Sequence, residues 1–109
     1  MNWIDLADEQ QLNNLKELST QRAQLIFKHS TRCGISSMVK SRLERSTPLD
    51  TIDFYYLDLI KYRQLSNKIA EDFSVYHQSP QVLLIKNGEC IYEESQNGIL
   101  KDDIIEQAL

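Results

Sequence analysis

Cysteine, proline and glycine are all scarce in this chain: two, two and three residues in 109. Two cysteines, Cys33 and Cys90, cannot build the disulfide framework of a small secreted domain, and a reducing cytosol holds such residues as thiols. Whatever chemistry they have is that of a reactive thiol. The few glycines and prolines leave no linker or low-complexity tract, and each falls at a turn or an element boundary. No apolar run approaches the ~20 residues that a membrane span needs. The opening Met1-Asn2-Trp3-Ile4-Asp5 has no basic region leading into an apolar stretch, so a cytoplasmic location without membrane contact is expected. Positive charge is short as well: the formal net charge is −4, which disfavours a nucleic-acid partner, since phosphate binders cluster Lys and Arg on one face. Two histidines and two distant cysteines offer no zinc spacing, so no metal site is expected.

What remains is 41% apolar and 26% charged residues, the make-up of one domain over 1–109 with a modest core. Residues 2–6 suit a short edge strand, and Asp8 then suits the cap of a helix carrying Leu12, Leu15 and Leu18. Residues 24–29 form an apolar run fit for a buried strand, stopped by Ser30-Thr31-Arg32. From Gly34, the spacing of Ile35, Met38, Val39 and Leu43 predicts a helix that ends before Pro48. Residues 53–60 are rich in β-formers, and Leu65, Ile69 and Phe73 trace a helix face with Ser66 as a candidate cap. Ser79-Pro80 precedes the strand Gln81-Val82-Leu83-Leu84-Ile85. Asn87-Gly88 then signals a hairpin into Cys90-Ile91-Tyr92. A last helix uses Leu100, Ile104 and Ile105. The order β-α-β-α-β-α-β-β-α is an α/β chain with a mixed central sheet flanked by helices on both faces, in which only the last pair of strands has to be antiparallel.

Cys33 stands between a buried strand and a helix. A thiol there meets unpaired backbone N–H groups and the positive helix end, with Arg32 adding a cation, and all three favour the attacking thiolate. Cys33-Gly34-Ile35-Ser36 lacks the second thiol of a dithiol motif. Ser36 offers a hydrogen bond but cannot close a disulfide. Exchange runs through a mixed disulfide, so without a resolving cysteine an external thiol must release the intermediate. This selects mixed disulfides between protein and a low-molecular-weight thiol as substrate. The pair Ser79-Pro80, directly before an apolar strand, fits a cis proline beside such a site.

These features resemble the thioredoxin superfamily, with a reactive cysteine between strand and helix and a proline before the penultimate strand. The chain is more closely similar to the monothiol bacilliredoxins of the YtxJ type. That likeness rests on Trp3-Ile4, on Phe27-Lys28-His29-Ser30-Thr31-Arg32-Cys33 with Ile35-Ser36, on Tyr56-Leu57-Asp58, on Ser66-Asn67 with Ile69-Ala70, and on Val75, His77 and Ser79 through Gly88. It spans almost the whole chain. It implies a thioredoxin-like fold whose Cys33 takes bacillithiol from S-bacillithiolated proteins and is regenerated by a second thiol. No cofactor is bound; bacillithiol or a similar thiol is co-substrate, and the protein is expected to act as a monomer. The family pattern has proline directly after the cysteine, where this chain has Gly34; glycine there leaves the first helical turn looser.

Cys33 and Ser36 are therefore the candidate catalytic pair, with Thr31, Arg32, Gly34, His77, Ser79 and Pro80 as the candidate binding set for the thiol substrate. His77 sits on the segment expected to face Cys33, where a donor could hold the carboxylates of a thiol. His29 fits a hydrogen bond in the sheet. Cys90, past the Asn87-Gly88 turn, is expected some 20 to 30 Å from the site and to pack on the sheet. Glu93-Glu94 and Asp102-Asp103 suit solvated faces or a helix start. Two other function classes are compatible with parts of the sequence. Cys33-Gly34-Ile35-Ser36 is similar to the Cys-Gly-Phe-Ser site of monothiol glutaredoxins that hold an iron-sulfur cluster, although the Gly-Gly pair of those proteins is missing here. The fold could also serve as a non-catalytic interaction module.

Overall fold

The computed structural model describes residues 2–45 and 51–109. Its organising element is the strand β2, Ala23–His29, buried at every position. Continuous burial follows from its place in the middle of the sheet, where both faces are covered by helices. β2 pairs in parallel with β3, Ile52–Asp58, and β3 in turn with the short edge strand β1, Ile4–Asp5. On its other side β2 pairs antiparallel with β4, Gln81–Lys86, which forms a hairpin with β5, Glu89–Ser95. The strand order is β1-β3-β2-β4-β5.

Residues alternate across the sheet and so divide the core in two. Ile26, Tyr55, Leu57, Leu83 and Ile85 pack with Leu12 and Leu15 of α1, Glu9–Leu18, and with Leu65 and Ile69 of α3, Arg63–Asp72. Leu25, Phe27, Phe54, Val82 and Leu84 pack with Val39 and Leu43 of α2, Gly34–Glu44, and with Ile104 of α4, Lys101–Ala108. This is the mixed sheet with helices on both faces that the element order predicts. Among the described residues no helix is long and apolar enough to cross a membrane.

Local signals account for several boundaries. Asp8 caps α1 as expected, its carboxylate accepting from the Gln11 N–H at 2.8 Å. Asn87 and Gly88 both take positive φ, 52° and 76°, the backbone that a tight hairpin turn requires. Four expectations are corrected. Ser66 is not a cap: α3 starts earlier, after Tyr62, and Ser66 lies buried inside it. Leu18, Ile35 and Met38 have helical spacing but are exposed, because the sheet covers a narrower stripe of each helix than the apolar pattern spans. Leu100, expected within the last helix, precedes it as its exposed N-cap residue. The third strand stops at Asp58, whose carboxylate accepts from the Ile60 and Lys61 N–H groups and turns the chain. Pro48, expected beyond α2, lies outside the described residues.

The Asp8 cap contributes about 1 kcal/mol by analogy with measured caps. Asp8→Ala is expected to lower the unfolding free energy by that amount in urea titration, with an unchanged m-value.

Candidate functional site

Strand β2 ends at His29 and the chain reverses over Ser30–Cys33. The Cys33 N–H donates to the Ser30 carbonyl at 3.2 Å, and the Arg32 N–H donates to Ser30 Oγ at 3.3 Å. Cys33 is the N-cap residue of α2, with φ −113° and ψ 118°, and its carbonyl accepts from the Ser37 N–H at 3.2 Å. Its side chain makes no capping hydrogen bond, and no acidic residue stands in the first turn of α2. The half-buried Cys33 therefore shares the helix mouth with backbone N–H groups rather than with a first-turn carboxylate. Thr31, Arg32 and Gly34 are all exposed around it.

Ser36 lies one turn into α2 and is fully buried. Its Oγ accepts from the Ser30 N–H at 3.1 Å and lies 2.7 Å from His29 Nδ1. The hydroxyl thus bridges the Ser30 backbone and the His29 ring. Burial first, then the Lys40 cation, pushes the His29 imidazole below its usual value, against smaller opposing effects of Asp58, a Ser36 hydrogen bond and Glu44. Phe27 and Tyr56 flank the ring, with centroids at 5.6 and 5.3 Å. Ser36 thus locks the end of β2 to the start of α2, with its hydroxyl held between Ser30 and His29.

On the opposite face of β2 lies Lys28, also fully buried. Its Nζ donates to the Ser66 carbonyl of α3 at 3.1 Å and approaches His77 Nδ1 at 3.3 Å. Burial lowers its pKa from 10.5 to about 8. Sequence reasoning assigned Lys28 no role. The available signal was a lysine inside a run otherwise apolar enough to be a central strand, where an ionisable side chain has to find partners.

His77 is exposed, yet its Nδ1 is turned inward to Lys28 and lies 3.4 Å from Ser66 Oγ. Burial, Lys28 and Arg63, in that order, push its imidazole below the usual value. Gln81 ties down the same segment, donating to the Tyr76 carbonyl at 2.9 Å and accepting from the Gln78 N–H at 3.4 Å. The Ser79–Pro80 peptide is cis. Since Lys28 pairs with Gln81 across β2 and β4, this loop and Cys33 emerge at the same end of the sheet. Pro80 is buried there, and the Ser79 hydroxyl is buried without a protein partner among the described residues.

Cys90 pairs with Ile85 near the other end of β4 and packs against the α1/α3 core. Its thiol donates to the Tyr92 carbonyl at 3.3 Å, and burial pushes it up, away from the reactive thiolate. Glu93 and Glu94 accept from Gln81 and from the Ser95 N–H respectively and do not converge. Among the described residues, no three His, Cys, Asp or Glu side chains are grouped to hold a metal ion.

Two outcomes follow. A Cβ at Gly34 would meet nothing within 4 Å, and Cys33 already has the extended backbone that a residue before proline prefers. Gly34→Pro is therefore expected to raise stability by about 0.4–1 kcal/mol through the unfolded chain, seen as a higher denaturation midpoint. For Lys28, the unfolded chain holds more protons than the folded one between pH about 8 and 10.5. Stability should accordingly climb through the lower part of that window, before the tyrosines titrate. Lys28→Met removes this climb.

Comparison with known proteins agrees with this geometry. The thioredoxin of Malassezia sympodialis superimposes with a TM-score of 0.80 at 18% identity, covering 99% of this chain and 92% of that one. The thioredoxin of Fasciola hepatica gives 0.76 at 19% identity, with 94% and 97% covered. At such identities the likeness establishes the thioredoxin fold. A structure described as a candidate oxidoreductase with a thioredoxin fold reaches 0.84 at 27% identity over 95% of this chain and 91% of its own. The family model for monothiol bacilliredoxin BrxC matches residues 4–104. The chain, a thioredoxin-fold redox protein with Cys33 at the mouth of its second helix, belongs to the monothiol bacilliredoxin family.

Proposed function

We propose that this protein is a monothiol oxidoreductase that removes bacillithiol, or a similar low-molecular-weight thiol, from protein mixed disulfides in the cytoplasm. The observation that carries the reading is the isolation of Cys33. Cys33 is a half-buried residue at the mouth of α2, the position of a nearby second thiol holds the buried Ser36, and Cys90 sits near the remote end of the β4–β5 hairpin.

In the first step the Cys33 thiolate attacks the small-thiol sulfur of the mixed disulfide. A bond forms between Cys33 and the small thiol, the original disulfide breaks, and the substrate protein leaves as thiolate. In the second step an external thiolate attacks the small-thiol sulfur on Cys33. It leaves with that thiol as a low-molecular-weight disulfide and restores Cys33. Each step exchanges one disulfide for another, so no further oxidant or reductant is consumed. Thr31, Arg32 and Gly34 on one side and His77, Ser79 and Pro80 on the other would frame the small thiol, while Ser36 keeps the strand-to-helix junction in place.

The test is multiple-turnover release of bacillithiol from an S-bacillithiolated protein, with free bacillithiol as the second substrate. Cys33→Ser is expected to abolish turnover and Cys90→Ser to retain it. Loss of turnover on replacing Cys90 would overturn the single-thiol scheme. Intact-mass analysis after separate exposure to oxidised bacillithiol and oxidised glutathione identifies the thiol, by the one that leaves a stable adduct on Cys33.

A further inference from the structure

Lys28 is a fully buried cation that the exchange steps do not use. It lies five residues before Cys33, on the face of β2 away from α2, and its ammonium joins two elements. It donates to the Ser66 carbonyl in α3 and contacts His77 Nδ1 in the loop leading to Ser79–Pro80. An ammonium has three donors and no acceptor, so the nitrogen it meets must present a lone pair. Ser66 Oγ, 3.4 Å from the same nitrogen, also has a proton to give. With Nδ1 accepting, the proton of a neutral His77 resides on Nε2, and the residue as a whole is exposed. Protonating Nδ1 would set a second cation against Lys28, with Arg63 of α3 adding to the repulsion; both depress the charged form.

We infer that Lys28 is a positioning residue that holds His77 as its neutral Nε2–H form, so that His77 acts as the hydrogen-bond donor for a carboxylate of the small thiol in transit through Cys33. This rests on the disulfide-exchange reading above and specifies a chemical class within it: thiols that carry a carboxylate. A buried cation serves this purpose where a neutral donor would not. A hydroxyl facing Nδ1 could reverse its hydrogen bond and let the imidazole proton change sides, whereas an ammonium cannot accept.

Two measurements test it. Long-range 15N–1H correlation spectra of the reduced parent protein report the His77 tautomer directly. The expected result is a protonated Nε2 with an accepting Nδ1, and in Lys28→Met a titration midpoint moved up toward the ordinary histidine value. A parent His77 protonated on Nδ1, or a midpoint indifferent to the substitution, overturns the inference, and the parent spectrum decides even if the variant does not fold. The second measurement is kinetic, with peptide mixed disulfides of mercaptopropionate and of its methyl ester as probes. In an assay buffered above the ordinary histidine value, where the imidazole of the variant also stays neutral, Lys28→Met is expected to raise KM severalfold for the carboxylate probe, because the unanchored His77 no longer presents its donor at a fixed place, with kcat retained. The ester probe should show no such rise. Equal effects on both probes refute the carboxylate assignment. Absence of turnover in the parent protein instead sinks the exchange reading and with it the carboxylate role, while the His77 spectrum still judges the Lys28 contact.

Discussion

The central strand β2 is buried on both faces, and the alternation of its side chains distributes everything that matters at its carboxyl end. Leu25, Phe27 and His29 go to the α2 side, while Ile26 and Lys28 go to the α3 side. The last residues of this strand therefore place one polar side chain in each half of the core, immediately before the chain escapes to Cys33. A shift of register by one residue would exchange the two sets and leave His29 without Ser36 and Lys28 without Ser66 and His77. Buried polar groups that find every partner specify such a register more sharply than apolar packing does, because a misplaced one costs its full desolvation.

The end of the molecule that carries Cys33 is thus built from two inward-facing supports. Below the thiol, Ser30, Ser36 and His29 clamp the turn between β2 and α2. Beside it, Lys28, Ser66, His77 and Gln81 hold the segment that leads into Ser79–Pro80. Neither cluster requires charge of its own at the surface. Around them stand the half-buried Cys33, the exposed turn Thr31–Arg32 and the exposed His77, set on a frame whose geometry is fixed from inside.

Much of this architecture is legible in the amino-acid order. Asp8 before a leucine-spaced segment and Asn87-Gly88 between apolar runs are local signals with local causes, and both structures form where the residues demand. The junction at Cys33 is legible for the same reason. Helix faces are less so: Ile35 and Met38 have the spacing of a core stripe, and only the sheet decides that the stripe stops at Val39 and Leu43. The direction of β4 against β2 depends on crossover geometry rather than on the composition of either strand. Pairwise contacts are the hardest to foresee. Nothing in the order of residues joins Lys28 to His77, which lie far apart along the chain and meet only because β4 docks beside β2.

The sheet's outer boundary has its own consequence. β5 presents Glu89, Ile91 and Glu93 outward in alternation, and the opposite border, β1, is only two residues long. An unpaired strand is a template on which another chain can crystallise into a growing ribbon, and carboxylates along one rim with almost no length on the other deny that template to neighbours.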